Sequence, residues 1–163
     1  MLNSVQLYLQ NQFQGQCVTA DYPQGIDVVI TPPNPGNMLQ PTMFVWGGKL
    51  HSARQAGSRA VGMGGYYKFE WDCNLWLMVP DQSDYANADQ AFPVLVDAVI
   101  KIMQTTQMPT VITDPVTQLE TQIISFGEII DLDYLPVLSM QDQSMLLYEV
   151  AITARVTEKV QFS

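Results

Sequence analysis

Charged residues are scarce in this chain. Asp, Glu, Lys and Arg make up 14% of its 163 residues, while apolar residues make up 47%. A typical globular domain carries about a quarter charged residues. Gln, Asn, Ser and Thr are interspersed with the apolar residues, which predicts a neutral-polar surface and suits a subunit that hides much of that surface in an assembly. One domain spanning residues 1–163 is expected at this length.

Positive charge is the rarest kind. Seven Lys and Arg stand against 16 Asp and Glu, giving a net charge of −9 and a pI near 4.2. This balance argues against general nucleic-acid binding, which depends on cationic contacts with phosphates. The few basic residues are clustered, however, and His51 lies among them. This cluster predicts a local cationic loop on an acidic body, made of Lys49, Arg54, Arg59 and Lys68.

Cysteine and histidine are too few to build a site by themselves. Cys17 and Cys73 form no disulfide framework and lack metal-ligand spacing. Cys73 falls on the apolar side of a predicted strand, where a reduced, buried thiol is expected. His51 is the single histidine, and no second histidine or cysteine accompanies it. We therefore predict no catalytic residue, no metal, no cofactor and no enzymatic activity.

The glycine-rich stretches do not form a nucleotide site. Gly47-Gly48-Lys49 lacks the GxxxxGK[ST] spacing of a phosphate loop, and no helix pattern follows it. Gly62-Met63-Gly64-Gly65 precedes a predicted strand, whereas a dinucleotide fingerprint follows one.

Long apolar runs are missing too. No stretch approaches the roughly 20 apolar residues that a membrane helix needs. No signal peptide is expected before the first segment. Synthesis in a reducing cytoplasm and no membrane contact are expected.

The strongest pattern present lies at residues 66–79, YYKFEWDCNLWLMV, where apolar and polar side chains alternate. Such alternation predicts one long strand with a buried and a solvated side. Its apolar positions are Tyr67, Phe69, Trp71, Cys73, Leu75, Leu77 and Val79. Shorter or less regular strands are predicted at 27–31, 42–50 and 121–130. Residues 145–160 alternate as well and are predicted to pair with 121–130 across the connection DLDYLPVLSMQDQ.

Two helices complete the pattern. Residues 2–13 place apolar side chains at helical spacing before Gly15. A second helix is predicted with Pro93 in its first turn and an apolar stripe of Phe92, Leu95, Val96, Val99, Ile100 and Met103. The order of elements predicts an α+β fold: an antiparallel (mixed) sheet with long hairpin strands and helices packed on one face.

Two segments are predicted as flexible insertions. Residues 32–41 contain four prolines, and 51–65 are rich in Gly and Ser. The second insertion carries the basic cluster. It is either a solvated hairpin tip or a loop that contacts an anionic partner, phosphates or the acidic face of a neighbour, with Lys49, His51, Arg54, Arg59 and Lys68 as the candidate residues. Large side chains away from the predicted core form either a second small core or an interface: Trp46, Tyr66, Trp76 and Met78.

The order of these elements resembles the tail terminator and related head–tail joining (neck) proteins of tailed bacteriophages. The segments that carry the resemblance are YKFEWDCNLWLMVP, the following AFPVLVDAVIKIMQ, and the final pair of strands. It covers nearly the whole chain as an order of elements and includes no diagnostic motif.

The resemblance implies a structural virion protein located in the tail or neck. Its subunits would form a hexameric ring at the head-proximal end of the tail, end tube polymerisation and contact the tail tube and the neck or connector protein. Genomic DNA would pass through the lumen, and the 51–65 loop would project toward that lumen or a neighbouring ring. Two other classes stay open: a tube or baseplate subunit, and a small α+β ligand-binding domain or enzyme using the face around Trp76 and His51.

Overall fold

The computed structural model describes residues 2–19, 22–32, 40–56, 65–81, 85–139 and 146–162. In chain order its elements are α1 (Leu2–Phe13), β1 (Asp27–Val29), β2 (Thr42–Ala56), β3 (Gly65–Asp81), α2 (Tyr85–Thr105), β4 (Thr110–Thr113), β5 (Glu120–Ser139) and β6 (Leu146–Phe162). Four of these strands are far longer than the usual five or six residues.

The strands form one sheet in the order β1-β2-β3-β6-β5-β4. β1 is parallel to β2, and the other four pairs are antiparallel. A mixed six-stranded sheet with two helices confirms the α+β class. The predicted pairing of the 121–130 strand with the last strand is also confirmed, as β5 and β6.

The main core covers only part of the long β3–β6 pair, from Cys73 to Val79 on β3 and from Tyr148 to Val156 on β6. These strands match residue for residue from Gly65↔Phe162 to Asp81↔Leu146. Cys73, Leu75 and Leu77 are buried as their alternation predicts. Tyr67, at the far end of the same face, is 39% exposed, so the prediction of a fully buried face is wrong there. We call the part of the sheet around residues 49–56 and 65–72 the distal part.

Both helices contribute to the same core. α1 buries Val5, Tyr8, Leu9 and Phe13, and α2 buries its predicted apolar stripe, with Ile100 only partly covered. The boundary prediction for α2 is wrong, because the helix begins at Tyr85 and Pro93 lies inside it. A proline inside a helix lacks the N–H for one intrahelical hydrogen bond, and its ring crowds the carbonyl of the preceding turn.

Two predicted strands end too early, and one strand was not predicted. β2 continues to Ala56, so residues 51–56 are strand and not part of an insertion. β5 continues to Ser139 through a segment predicted as a connection, and β4 has no counterpart in the prediction. Residues 33–39 and 57–64, which make up most of the rest of the two predicted insertions, lie outside the described residues.

A second, smaller apolar cluster lies apart from the main core. Phe44 and Met78 are buried in it, with Val29, Trp46 and Trp76 partly buried around them. Phe44 is paired with Trp76, and Met78 with Thr42, across β2 and β3. Because successive residues of a strand point to opposite faces, this cluster lies on the opposite side of β3 from Leu75 and Leu77.

Candidate functional site

The side of β3 opposite the main core becomes polar in the distal part. We call it the polar face. Its central row runs across four strands: Lys49 on β2 pairs with Asp72 on β3, Asp72 with Arg155 on β6, and Arg155 with Glu128 on β5. Directly opposed residues on one face have Cβ atoms about 5 Å apart. The row therefore places positive and negative side chains in strict alternation across the sheet.

Ion pairs join most of this row. Arg155 Nε donates to Asp72 Oδ1 at 2.9 Å, and Arg155 Nη1 donates to Glu128 Oε1 at 3.3 Å. His51 Nδ1 lies 3.6 Å from Asp72 Oδ2. The hydrogen bond to Asp72 raises the pKa of the Arg155 guanidinium, which stays charged. Asp72 is thus held between two basic side chains from different strands.

A second ion pair, between Glu70 and Lys68, lies farther along the polar face. Glu70 Oε2 accepts from Ser52 Oγ at 2.6 Å, and Glu70 Oε1 accepts from Lys68 Nζ at 3.0 Å. These two hydrogen bonds lower the pKa of the Glu70 carboxyl to about 2. Glu70 therefore remains a carboxylate throughout the physiological range and neutralises Lys68.

The predicted basic loop is accordingly built differently from the expectation. Lys49, His51 and Arg54 lie on β2, and Lys68 lies on β3 opposite Arg54. Lys49, His51 and Arg54 are exposed, while Lys68 is partly covered. Arg59 lies outside the described residues. The sequence found these cations, but it missed the carboxylates that pair with His51 and Lys68, because strand register decides those contacts.

The predicted interface residues divide into two groups. Met78 is buried against Phe44, which favours a small second core, and Trp46 and Trp76 border it. Trp76 Nε1 donates to Glu149 Oε2 at 3.2 Å, while burial raises the pKa of Glu149. Tyr66 lies in the distal part, where Lys159 Nζ is 4.3 Å from the centre of its ring. This distance is within the range of a cation–π contact.

One acid lies on the opposite side, in the apolar core. Glu158 is fully buried, and its Oε1 accepts from Trp71 Nε1 at 2.8 Å. Its Oε2 has no hydrogen-bond partner within the described part of the chain. Burial raises the pKa of this carboxyl above its ordinary value of 4.5, although the Trp71 bond acts in the other direction. The folded protein is therefore more stable with an uncharged side chain at position 158 than with a carboxylate.

We predict that Glu158→Gln stabilises the protein at neutral pH. A raised folded-state pKa contributes stability below the unfolded value of about 4.5, and that contribution is lost as pH rises through the folded pKa. The amide keeps an acceptor for Trp71 without an ionisable oxygen. Urea unfolding at pH 5 and pH 8 should show that the free energy of unfolding of the variant exceeds that of the unmodified chain by more at pH 8 than at pH 5. Exposed Glu120→Gln is the control, and an equal response of the two variants would contradict the prediction.

The outer edges of the two long outer strands are largely open. β1 pairs with β2 only at Thr42, Met43 and Phe44, and β4 pairs with β5 only from Glu120 to Ile123. Within the described ranges, no other strand covers β2 from residue 45 onward or β5 from residue 124 onward. Open edges of this length present unpaired N–H and C=O groups, which can pair with another chain.

Other site types have little support among the described residues. No group of three His, Cys, Asp or Glu there is arranged to hold a metal. Neither described helix has the length and apolar character to cross a membrane. A pocket of about 310 Å³ lies near the β4–β5 edge, lined by Val111, Leu119, Glu120, Thr121, Gln122 and Lys159. It includes neither Trp76 nor His51, the residues on which a ligand-binding function was hypothesised.

Cys17 and Cys73 are both free. Burial raises the pKa of the Cys73 thiol to about 12, so it stays protonated and unreactive.

The comparisons with known proteins give no assignment. No protein-family model matches the chain, and no curated protein matches it.

Proposed function

We propose that this chain is a structural virion protein: a ring-forming tail terminator at the head-proximal end of a bacteriophage tail. In this role it ends tube polymerisation and joins the tail to the neck or connector protein, and DNA passes through its lumen. A hexamer is the ring size that the family resemblance implies. The proposal assigns the chain no catalysis and no cofactor.

The observation that supports the proposal best is the pair of open edges on opposite sides of one sheet. A closed ring of identical subunits uses heterologous contacts, in which each subunit presents two different surfaces that fit each other. β2 and β5 provide two such surfaces, because most of each outer edge is uncovered among the described residues. A low charged fraction of 14% is also suited to a subunit with extensive contacts.

The proposal includes the arrangement of the helices. We infer that α1 and α2 cover one face of the sheet and leave the polar face free for assembly. Buried residues of both helices share one cluster with Leu75 and Leu77 of β3, whereas Phe44 and Met78 belong to the separate cluster. A subunit with helices on one side and the polar face on the other has distinct surfaces for ring formation and for axial partners.

The test is immunogold electron microscopy of particles of the phage that encodes the chain. Label at the junction of head and tail supports a terminator or neck subunit. Label along the tail or at its distal tip would instead favour the alternative, a tube or baseplate subunit. Absence of the chain from purified particles would contradict every virion role. A virion-free lysate of the same host, stained in parallel, is the control for background labelling.

A further inference from the structure

The two open edges carry opposite charge. β2 contains Lys49, His51 and Arg54 and no acid. β5 contains Glu120, Glu128, Asp131 and Asp133 and no basic residue. All seven of these side chains are exposed. Edge strands commonly carry charge that discourages pairing with copies of themselves. Here the β2 edge of one copy repels the β2 edge of another copy and attracts its β5 edge.

The charges also lie on the same face of the sheet. Lys49 pairs with Asp72, and Arg54 with Lys68, so both lie on the polar face. Glu128 pairs with Arg155, and Asp131 with Thr153, and these partners face Asp72 and Asn74 in turn. A second copy added edge to edge in the same orientation keeps this face on the same side. Its Glu128 then lies level with the first copy's Lys49.

Strand direction fits such an addition. β2 is antiparallel to β3, β3 to β6, and β6 to β5, so β2 and β5 run in opposite directions. A copy placed beside the first in the same orientation therefore brings its β5 antiparallel to β2. The alternation of strand direction continues across the boundary without a break. The β1 and β4 pairs lie at opposite ends of the long strands, and no other strand in the described part of the chain covers the middle of either edge.

We propose that copies of this chain join head to tail by strand addition, with the β2 edge of one copy pairing with the β5 edge of the next. The central row alternates in sign from Lys49 through Asp72 and Arg155 to Glu128. The residue that follows Glu128 across the junction is Lys49 of the next copy, so the alternation of charge continues there. Exposed apolar side chains accompany both edges, Leu50 on β2 and Ile130 on β5, each 43% exposed. The partner is thus a second copy of the chain. The contact rests on one part of the proposed function, the assembly of identical subunits.

Zero-length carbodiimide cross-linking of the unmodified chain tests the geometry. Within one copy, Lys49 and Glu128 are separated by three strand spacings, about 14 Å, which is beyond direct amide formation. We expect a Lys49–Glu128 cross-linked peptide, and in a mixture of ¹⁴N- and ¹⁵N-labelled protein that peptide should combine the two labels. A chain that yields only same-copy or other cross-links would overturn the contact.

Charge reversal tests the energetics. Lys49→Glu alone and Glu128→Lys alone each place like charges at every junction, and we expect at least a tenfold weaker association by light scattering coupled to size exclusion. Mixing the two variants restores complementary junctions in alternating order and should restore assembly. Lys101→Glu, an exposed reversal on α2, is the matched control and should associate like the unmodified chain.

Three outcomes would overturn the contact: reversals without effect, a mixture that stays dissociated, or an unmodified chain that is monomeric at every concentration. Circular dichroism checks that each variant folds, and exposed Asp131→Lys replaces Glu128→Lys if loss of the Arg155 bond unfolds the latter. The two proposals fail separately. Copies that cross-link as expected but are absent from virions would contradict the proposed function alone, whereas gold at the head–tail junction with inert reversals would contradict this contact alone.

Discussion

Gly127→Ala is expected to destabilise the fold by about 3 kcal/mol. Gly127 has φ +101°, a backbone conformation that side chains rarely adopt, and it lies at a register shift of β5 between Phe126 and Glu128. A Cβ added there would stand 2.5 Å from the Met103 backbone oxygen and 3.0 Å from its carbonyl carbon. Backbone strain and overpacking each cost about 1–3 kcal/mol. The site allows no cheap relief, because the clash is with the main chain of α2.

Gly15→Ala separates the two costs. Gly15 also has a positive φ, +69°, but an added Cβ would meet no atom within 4 Å. Only the backbone term applies, so a loss of about 1 kcal/mol is expected. Urea unfolding of both variants, with unchanged m-values, gives the comparison. A Gly127→Ala protein no less stable than Gly15→Ala would show that α2 and β5 do not approach each other as described.

Leu77→Ala is the second large effect, with an expected loss of 2–5 kcal/mol, roughly 3. Leu77 is fully buried on β3, opposite Met43 on β2 and Val150 on β6. Truncation removes apolar contacts from three strands and leaves a cavity that a sheet cannot easily close. Leu119→Ala is the matched control, since Leu119 is 64% exposed and surface changes of this kind stay within about 0.5 kcal/mol.

The unfolding free energies of these two leucine variants also test the orientation of β3. Equal losses would contradict the assignment of the Leu77 side of β3 to the core. Thermal unfolding followed by circular dichroism is an independent measurement of the same difference.

Local patterns were sufficient for the elements that alternate cleanly or carry a helical stripe. The β3 alternation, the apolar side of α1 and the stripe from Phe92 to Met103 all follow from residue spacing, and each is buried where the core reaches it. The same alternation predicted burial for Tyr67 as well. Its exposure depends on how far the main core extends along the sheet, which no local pattern records.

The ends of the strands were harder to predict, because they depend on pairing with another strand and not on local composition. Residues 51–56 are polar and small, as in a loop, yet β2 continues there opposite residues 66–70 of β3. Residues 131–139 were predicted as part of a connection, but they belong to β5. Pro136 lies at the register shift between Leu135 and Leu138, a kind of irregularity at which a strand accepts proline. A strand that forms because of a partner elsewhere in the chain is poorly predicted by its own sequence.

The ion pairs of the polar face could not be predicted from the sequence for the same reason. Asp72 and Arg155 are 83 positions apart, and their bond exists only because β3 and β6 pair in one particular register. The sequence marked Lys49, His51, Arg54 and Lys68 as a basic cluster without their carboxylate neighbours. It therefore predicted excess positive charge where the structure has alternating charge.

The position of β6 at the centre of the sheet has a consequence for folding. The β2–β3 hairpin brings together neighbouring segments, but β3 and β5 meet only through β6, which is the last strand along the chain. Every contact between β3 and β6 closes a loop of at least 65 residues, as for the Asp81↔Leu146 pair. High contact order of this kind slows folding by orders of magnitude relative to helical bundles. During synthesis, the unfinished chain holds two half-sheets with open inner edges, and this interval is when chaperone protection against aggregation matters most.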